Sequence, residues 1–377
     1  MEFDLQSALS ESAFAFRGYN MTNLGRSAEL LEHAAYGPIV QKHLLRGSRI
    51  CSDVTRRDVD LVSRVRQGRE TSLKTYSDAI SLVVCMELAQ LELLQEFFGI
   101  DYRQSKLLYG YSLGEVTAVI AAGVHEMEGP LRVLLTHADE VAELAHDVTM
   151  GVLFSRGPEL PLNDVQRQCV RINSEGRGVI GVSAYLSPNS VLLLGQGDTV
   201  DRFKESLREV LPNRIYLRKN QHRWPPMHTC IVWERNIPNR SALMMHTIQG
   251  GFREPKPEIF SLVTGDVGYH DYNAREMLCR WIDQPQRLWD AVYATLSRGV
   301  RTLVHVGPQP NLIPATFQRL SVDVEGQTRG SIGMRALSNI IRRPWLSALL
   351  PSRAALLRAP LLKHVNLEDW LLEHEPG

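Results

Sequence analysis

The sequence predicts an α/β protein: a doubly wound core with a small second α/β unit inserted into it. Three observations carry this. A short apolar run, Lys106-Leu107-Leu108-Tyr109, leads through Gly110-Tyr111-Ser112-Leu113-Gly114-Glu115 into the Ala-rich stretch Val116–Gly123. Residues 12–147 alternate strand-like and helix-like patterns. Between about Thr149 and Arg218 the order changes to β-α-β-β-α-β.

Taken in chain order, residues 37–72 read as a polar, basic helical excursion on the surface. A long helix is predicted over Ser77–Phe98, where Ile80, Val83, Val84, Leu91, Leu94 and Phe98 recur at helical spacing. The serine turn follows. Glycine two before and two after Ser112 lets strand and helix pass nearly in contact, which lifts the hydroxyl clear of the sheet edge. The plainer reading of the same residues is a tight turn whose serine caps the helix.

Strand Met150–Phe154, a helix near Leu162–Val170, strands Val179–Tyr185 and Val191–Gly195, a helix Val200–Val210 and strand Ile215–Arg218 make the inserted unit. This order is ferredoxin-like. The chain then returns to the large unit, with a strand Thr302–Val306 and a helix near Leu312–Leu320. The expected division is 1–148 plus 222–320 for the large unit, 149–221 for the small one and 321–377 for a helical C-terminal extension. That extension combines Arg329, Arg335, Arg342, Arg343, Arg353 and Arg358 with Trp345-Leu346 and Leu349-Leu350, and Pro344, Pro351 and Pro360 break it into short helices. Packing back onto the large unit is expected of it, against a partner-binding arm.

A chain of 377 residues buries a sizeable core. Lys+Arg and Asp+Glu both number 42, so no bulk charge attracts nucleic acid or an anionic membrane. An acidic partner would have to meet a local basic patch. Cys51, Cys85, Cys169, Cys230 and Cys279 are scattered without C-x-x-C spacing, which is the usage of reduced cytosolic thiols holding no metal. No signal-like N-terminus and no run of membrane-spanning length stands out, so a cytoplasmic protein is expected.

Six blocks in order resemble the malonyl-CoA:acyl-carrier-protein transacylases and the acyltransferase domains of polyketide synthases. They are Ser12–Leu31, the helix to Phe98 with the Gly-x-Ser-Leu-Gly-Glu turn, Ser187–Gly195, Pro226-Met227-His228, Pro257–Gly265 and His305-Val306-Gly307-Pro308. The resemblance implies a large α/β-hydrolase-like subdomain interrupted by the small one. It also implies an S-acyltransferase that moves an acyl group from coenzyme A to the phosphopantetheine thiol of an acyl carrier protein. The partners are then an acyl-CoA substrate and a carrier protein, with no permanently bound cofactor.

Acyl transfer needs a nucleophile, a base and an oxyanion hole. The resemblance assigns these to Ser112, to His228 among the twelve histidines, and to the backbone N–H groups of Leu113 and Tyr19. It orients His228 through the main-chain carbonyl of Trp281, where relatives commonly carry glutamine. His305 is the second candidate base. His137, Met227 and Tyr111 fall at the acyl pocket. His137 lies 25 residues after Ser112, where malonyl-selective members carry an arginine. A neutral imidazole does not replace a guanidinium fork, so weak selectivity for malonyl over uncharged acyl groups follows unless Arg17 or Arg132 takes over. Two other readings remain at this point. One is a carrier-protein thioester hydrolase with the same dyad; the other is a non-catalytic scaffold of the same fold. An α/β-hydrolase esterase is disfavoured, with no His-Gly-Gly-Gly loop and no evident acid between serine and histidine.

Overall fold

The protein is seen here as a computed structural model describing residues 4–156, 159–210, 214–329 and 354–376. Its strands are β1 (Ser12–Phe16), β2 (Leu107–Gly110), β3 (Val148–Ser155), β4 (Ile180–Ser187), β5 (Ser190–Gln196), β6 (Ile215–Arg223), β7 (Phe260–Ser261), β8 (Asp266–Val267), β9 (Thr302–Val306) and β10 (Lys363–Asn366). The large sheet has the order β10-β9-β1-β2 and is parallel throughout. Every residue of β1, β2 and β9 is buried, as a sheet covered on both faces requires. Alternate residues serve two cores. Phe14, Phe16, Leu108, Val304 and Val306 join one, while Ala13, Ala15, Leu107, Tyr109 and Leu303 join the other.

Helices Tyr76–Phe98 and Leu113–Ala121 contribute to the first core, and helix Leu288–Ser297 contributes to the second. Residues 37–72 differ from the expectation of a surface excursion. Helix Gly37–Thr55 is amphipathic and turns Val40, Leu44, Ile50 and Cys51 into the first core. A Cβ at Gly47 would lie 2.3 Å from Cys85 Sγ on the long helix, so the glycine sets how closely the two helices cross.

The small sheet is antiparallel, in the order β4-β5-β3-β6, with helices Leu162–Ser174 and Thr199–Val210 packed on one face. Phe203, Val165, Leu153 and Leu193 lie in its core. Its other face carries Met150, Val152, Leu192 and Leu194 and borders a cleft. β4 is stitched to the large unit where Tyr185 N–H donates to Gln286 O and Gln286 N–H donates to Ser183 O, both at 2.8 Å.

The C-terminal extension is not purely helical. Lys363–Asn366 forms β10 and adds a parallel strand to β9, and the following helix Leu367–Glu373 packs Trp370 against Phe98 at 4.7 Å between ring centroids. Four residues with two charged or polar ends show no strand signal; the open edge of β9 supplies the conformation. Of the basic and apolar positions noted in the sequence, Arg335, Arg342, Arg343, Arg353, Trp345, Leu346, Leu349 and Leu350 lie outside the described residues, as do Pro344 and Pro351. Among the described residues, no helix is long and apolar enough to cross a membrane.

Candidate active site

Ser112 joins β2 to helix Leu113–Ala121 with φ 53° and ψ −120°, a conformation that a residue with a Cβ rarely adopts. The flanking glycines make it possible. A Cβ on Gly110 would stand 2.0 Å from the carbonyl carbon of Gly114, and a Cβ on Gly114 would stand 2.3 Å from the Phe16 carbonyl oxygen on β1. The serine side chain makes no capping bond to the helix. Its Oγ lies 2.8 Å from His228 Nε2 instead. The plain capping reading of this turn therefore does not hold.

His228 arrives after Pro225-Pro226-Met227 in a left-handed conformation, φ 65°, fixed by its N–H donating to Ile282 O at 2.8 Å. Its Nδ1 lies 2.7 Å from the carbonyl oxygen of Trp281. That carbonyl sits at the C-terminus of helix Ala274–Trp281, where carbonyls lack intrahelical partners and carry the negative end of the helix dipole. A carbonyl only accepts, so Nδ1 carries the proton and Nε2 turns its lone pair to the Ser112 hydroxyl. Burial pushes the His228 pKa down to about 4, opposed by the Trp281 carbonyl. The imidazole is thus a neutral acceptor at neutral pH. The indole Nε1 of Trp281 donates in turn to Ser112 O at 2.9 Å.

Gln286 is a residue the sequence did not reveal. Its Oε1 accepts from Ser112 N–H at 3.0 Å, and its Nε2 lies 3.4 Å from His228 Nδ1. The same residue stitches β4 to the large unit, so its side chain is held from both directions. No motif surrounds it; only the fold brings it to the serine.

Among the described residues, the N–H groups of Leu113 and Tyr19 have no hydrogen-bond acceptor in the protein. Both lie beside Ser112: Leu113 opens the helix, and Gly18 approaches so closely that its Cβ would be 3.2 Å from Ser112 Cβ. A cleft of about 350 Å³ reaches the serine between the large unit and the apolar face of the small sheet; Tyr19, Tyr111, Leu194, Met227 and His228 line it. Tyr111 therefore borders this cleft and not a second, smaller pocket at the nucleophile.

That small pocket holds about 20 Å³ and is lined by Ser112, Leu113, His137, Met227, Ser241 and Trp281 among others. His137 is 3 % exposed, and burial, with Arg240 adding to it, lowers its pKa to about 4. Arg240 donates to Glu140 at 2.5 Å. Neither arginine offered as a substitute cation lines the pocket. Arg17 is fully buried and donates to the carbonyls of Gly18, Thr22 and Pro308 and to Asn23 Oδ1. Arg132 pairs with Glu128 and Asp53. His305, the second candidate base, lies on β9 with Nε2 2.9 Å from His364 Nδ1 on β10, away from the serine.

No family model matches the chain. The malonyl CoA-acyl carrier protein transacylase of Salmonella typhimurium is 23% identical over 306 residues, covering 80% of this chain and 90% of that one. The polyketide synthase GfsA of Streptomyces halstedii is 25% identical over 202 residues, 53% of this chain. The chain spans only 2% of that synthase's length. The crystal structure of FabD from Acinetobacter baumannii superposes with a TM-score of 0.63 at 17% identity, covering 93% of this chain and 99% of that one. In sequence the chain resembles malonyl CoA-acyl carrier protein transacylases and polyketide synthases, and in fold it resembles FabD and a polyketide-synthase acyltransferase domain.

Proposed function

We propose that the chain is an S-acyltransferase that passes an acyl group from coenzyme A to an acyl-carrier-protein phosphopantetheine thiol through an acyl-Ser112 intermediate. The observation that carries this is the chain Ser112 Oγ, His228 Nε2, His228 Nδ1, Trp281 O, with contacts of 2.8 and 2.7 Å. A serine hydroxyl is a weak nucleophile until a base takes its proton, and a neutral imidazole held in this tautomer is such a base.

In the first half-reaction Ser112 Oγ attacks the thioester carbonyl as its proton moves to His228 Nε2. The Trp281 carbonyl stabilises the imidazolium through Nδ1–H. The oxyanion accepts from the N–H groups of Leu113 and Tyr19; a donor removed from such a hole typically costs about 10²–10³ in rate. The carbon–sulfur bond then breaks, and the leaving thiolate takes the proton from Nε2. The second half-reaction is the reverse with the carrier thiol as nucleophile. No metal or resident cofactor enters any step.

The long cleft suits a pantetheine arm, and the units that border it are read as an α/β-hydrolase-like core and a ferredoxin-like insert. β6 carries Arg218 and Arg223 near the cleft-lining Asn220 and Trp224, with Lys219 held by Asp201, and the two guanidinium groups suit an acidic carrier. Five unpaired cysteines accord with a cytoplasmic setting. The test is to acylate the enzyme, remove free acyl-CoA and add carrier protein bearing its phosphopantetheine. Acyl mass appearing on the carrier supports the transferase. Free acid formed at the same rate without the carrier would favour the thioester hydrolase.

A further inference from the structure

The small pocket beside Ser112 contains polar atoms with nothing to bond. Ser241 is 1 % exposed and His137 3 % exposed, and both line the void. Ser241 Oγ and both ring nitrogens of His137 lack a hydrogen-bond partner in the protein. Each such buried group left unpaired costs about 1–3 kcal/mol. The rest of the lining is largely apolar, with Ile80, Val133, Leu134, Val141 and Ile237. At about 20 Å³ the void has space for about one water molecule.

We propose that this pocket selects short acyl groups bearing an uncharged hydrogen-bonding substituent of hydroxyl size, received by Ser241 and His137. The proposal rests on the acyl-transfer reading above and names its substrate class. A hydroxyl both donates and accepts. Ser241 offers the same pair of roles, and a neutral imidazole offers one donor and one acceptor. A hydrocarbon tail would seal the three polar atoms away from water unpaired. A carboxylate is excluded for a different reason. No arginine lines the pocket, Arg240 is engaged by Glu140, and the Glu140 carboxylate lies 4.0 Å from His137 Nδ1, where it would repel a second anion. A water filling the void makes the same distinction: a substrate hydroxyl reproduces its bonds on displacing it, and a methyl does not.

The test is competition between thioesters that differ by one oxygen, read as acyl mass on Ser112. Equimolar glycolyl-CoA and acetyl-CoA form one pair, 3-hydroxypropionyl-CoA and propionyl-CoA the other. The hydroxylated member of at least one pair should win by about tenfold or more. Ser241→Ala and His137→Leu should each bring that ratio close to one. Because both thioesters meet the same molecules, the ratio is unaffected by any loss of folded enzyme. Ratios near one in both pairs for the unaltered protein, or a preference that survives both substitutions, would overturn the assignment while acyl transfer stood. No adduct from any of the four thioesters would remove the acyl-transfer reading and this one together.

Discussion

His228 Nε2 stands 2.8 Å from Ser112 Oγ although 116 residues separate them in the chain. The contact is assembled from two left-handed residues. Ser112 is lifted on the turn after β2 and His228 is pinned by Ile282 O. Neither could be held there by its immediate neighbours in sequence alone.

The pH dependence follows from burial. A free imidazole gains its proton near pH 6.5, whereas that of His228 is pushed down to about 4. The base is neutral above its folded pKa and is lost as pH falls through it. Acylation of Ser112 should hold steady from neutral to about pH 5 and decline towards pH 4. The depressed pKa also means stability present above about 6.5 that drains away as pH falls towards 4. A pH–rate profile with circular dichroism alongside checks both; a midpoint near 6.5 in a folded protein contradicts the burial-lowered pKa.

Gly110→Ala and Gly114→Ala should each destabilise by more than about 4 kcal/mol, since neither Cβ has space and each neighbour is backbone. Gly68→Ala is the comparison. That residue has φ +61° and nothing within 4 Å, so only backbone strain of about 1 kcal/mol is expected. Urea midpoints and soluble yield separate the two outcomes, and equal tolerance of all three would refute the close-approach account.

Gln286→Ala removes the acceptor of Ser112 N–H. It should cost about 1–3 kcal/mol in stability. Acylation should slow by about tenfold or more as the serine loses its fixed orientation. Chemical denaturation and single-turnover acylation measure these together, and an unchanged acylation rate would show that Gln286 does not orient the nucleophile.

Selectivity for malonyl should be weak. A bidentate pair to a carboxylate is absent, and a hydrogen bond to a charged group contributes about 1.5–3 kcal/mol, or one to two orders of magnitude in preference. Malonyl-CoA in competition with acetyl-CoA should show little advantage, and His137→Arg should shift the ratio towards malonyl where the side chain finds room. Strong wild-type choice of malonyl would contradict this, because neither Arg17 nor Arg132 lines the pocket.

The parts legible in the sequence are those decided locally. Gly110 and Gly114 announce the turn because a side chain there collides with backbone, and Leu107-Leu108-Tyr109 announces β2 as a short apolar run. What stayed hidden depends on distant partners. Helix Gly37–Thr55 has a polar outer face that masks its buried Val40, Leu44 and Ile50. β10 is a strand only because β9 leaves an edge. Gln286, and the unpaired Ser241 beside His137, belong to the site by folding and not by spacing. The resemblance to a family pointed to His228 and the Trp281 carbonyl; the depth of burial that lowers the histidine's pKa had no counterpart in the sequence.

The most direct measurement is intact-protein mass spectrometry after mixing with a panel of acyl-CoAs. The wild-type chain should gain one acyl mass, mapped by peptide digestion to Ser112. Ser112→Ala should gain none, and His228→Ala should acquire it slower by several orders of magnitude, on the order of 10³–10⁶. An acyl mass that persists in Ser112→Ala, or a wild-type protein that never acquires one, would contradict the acyl-serine account.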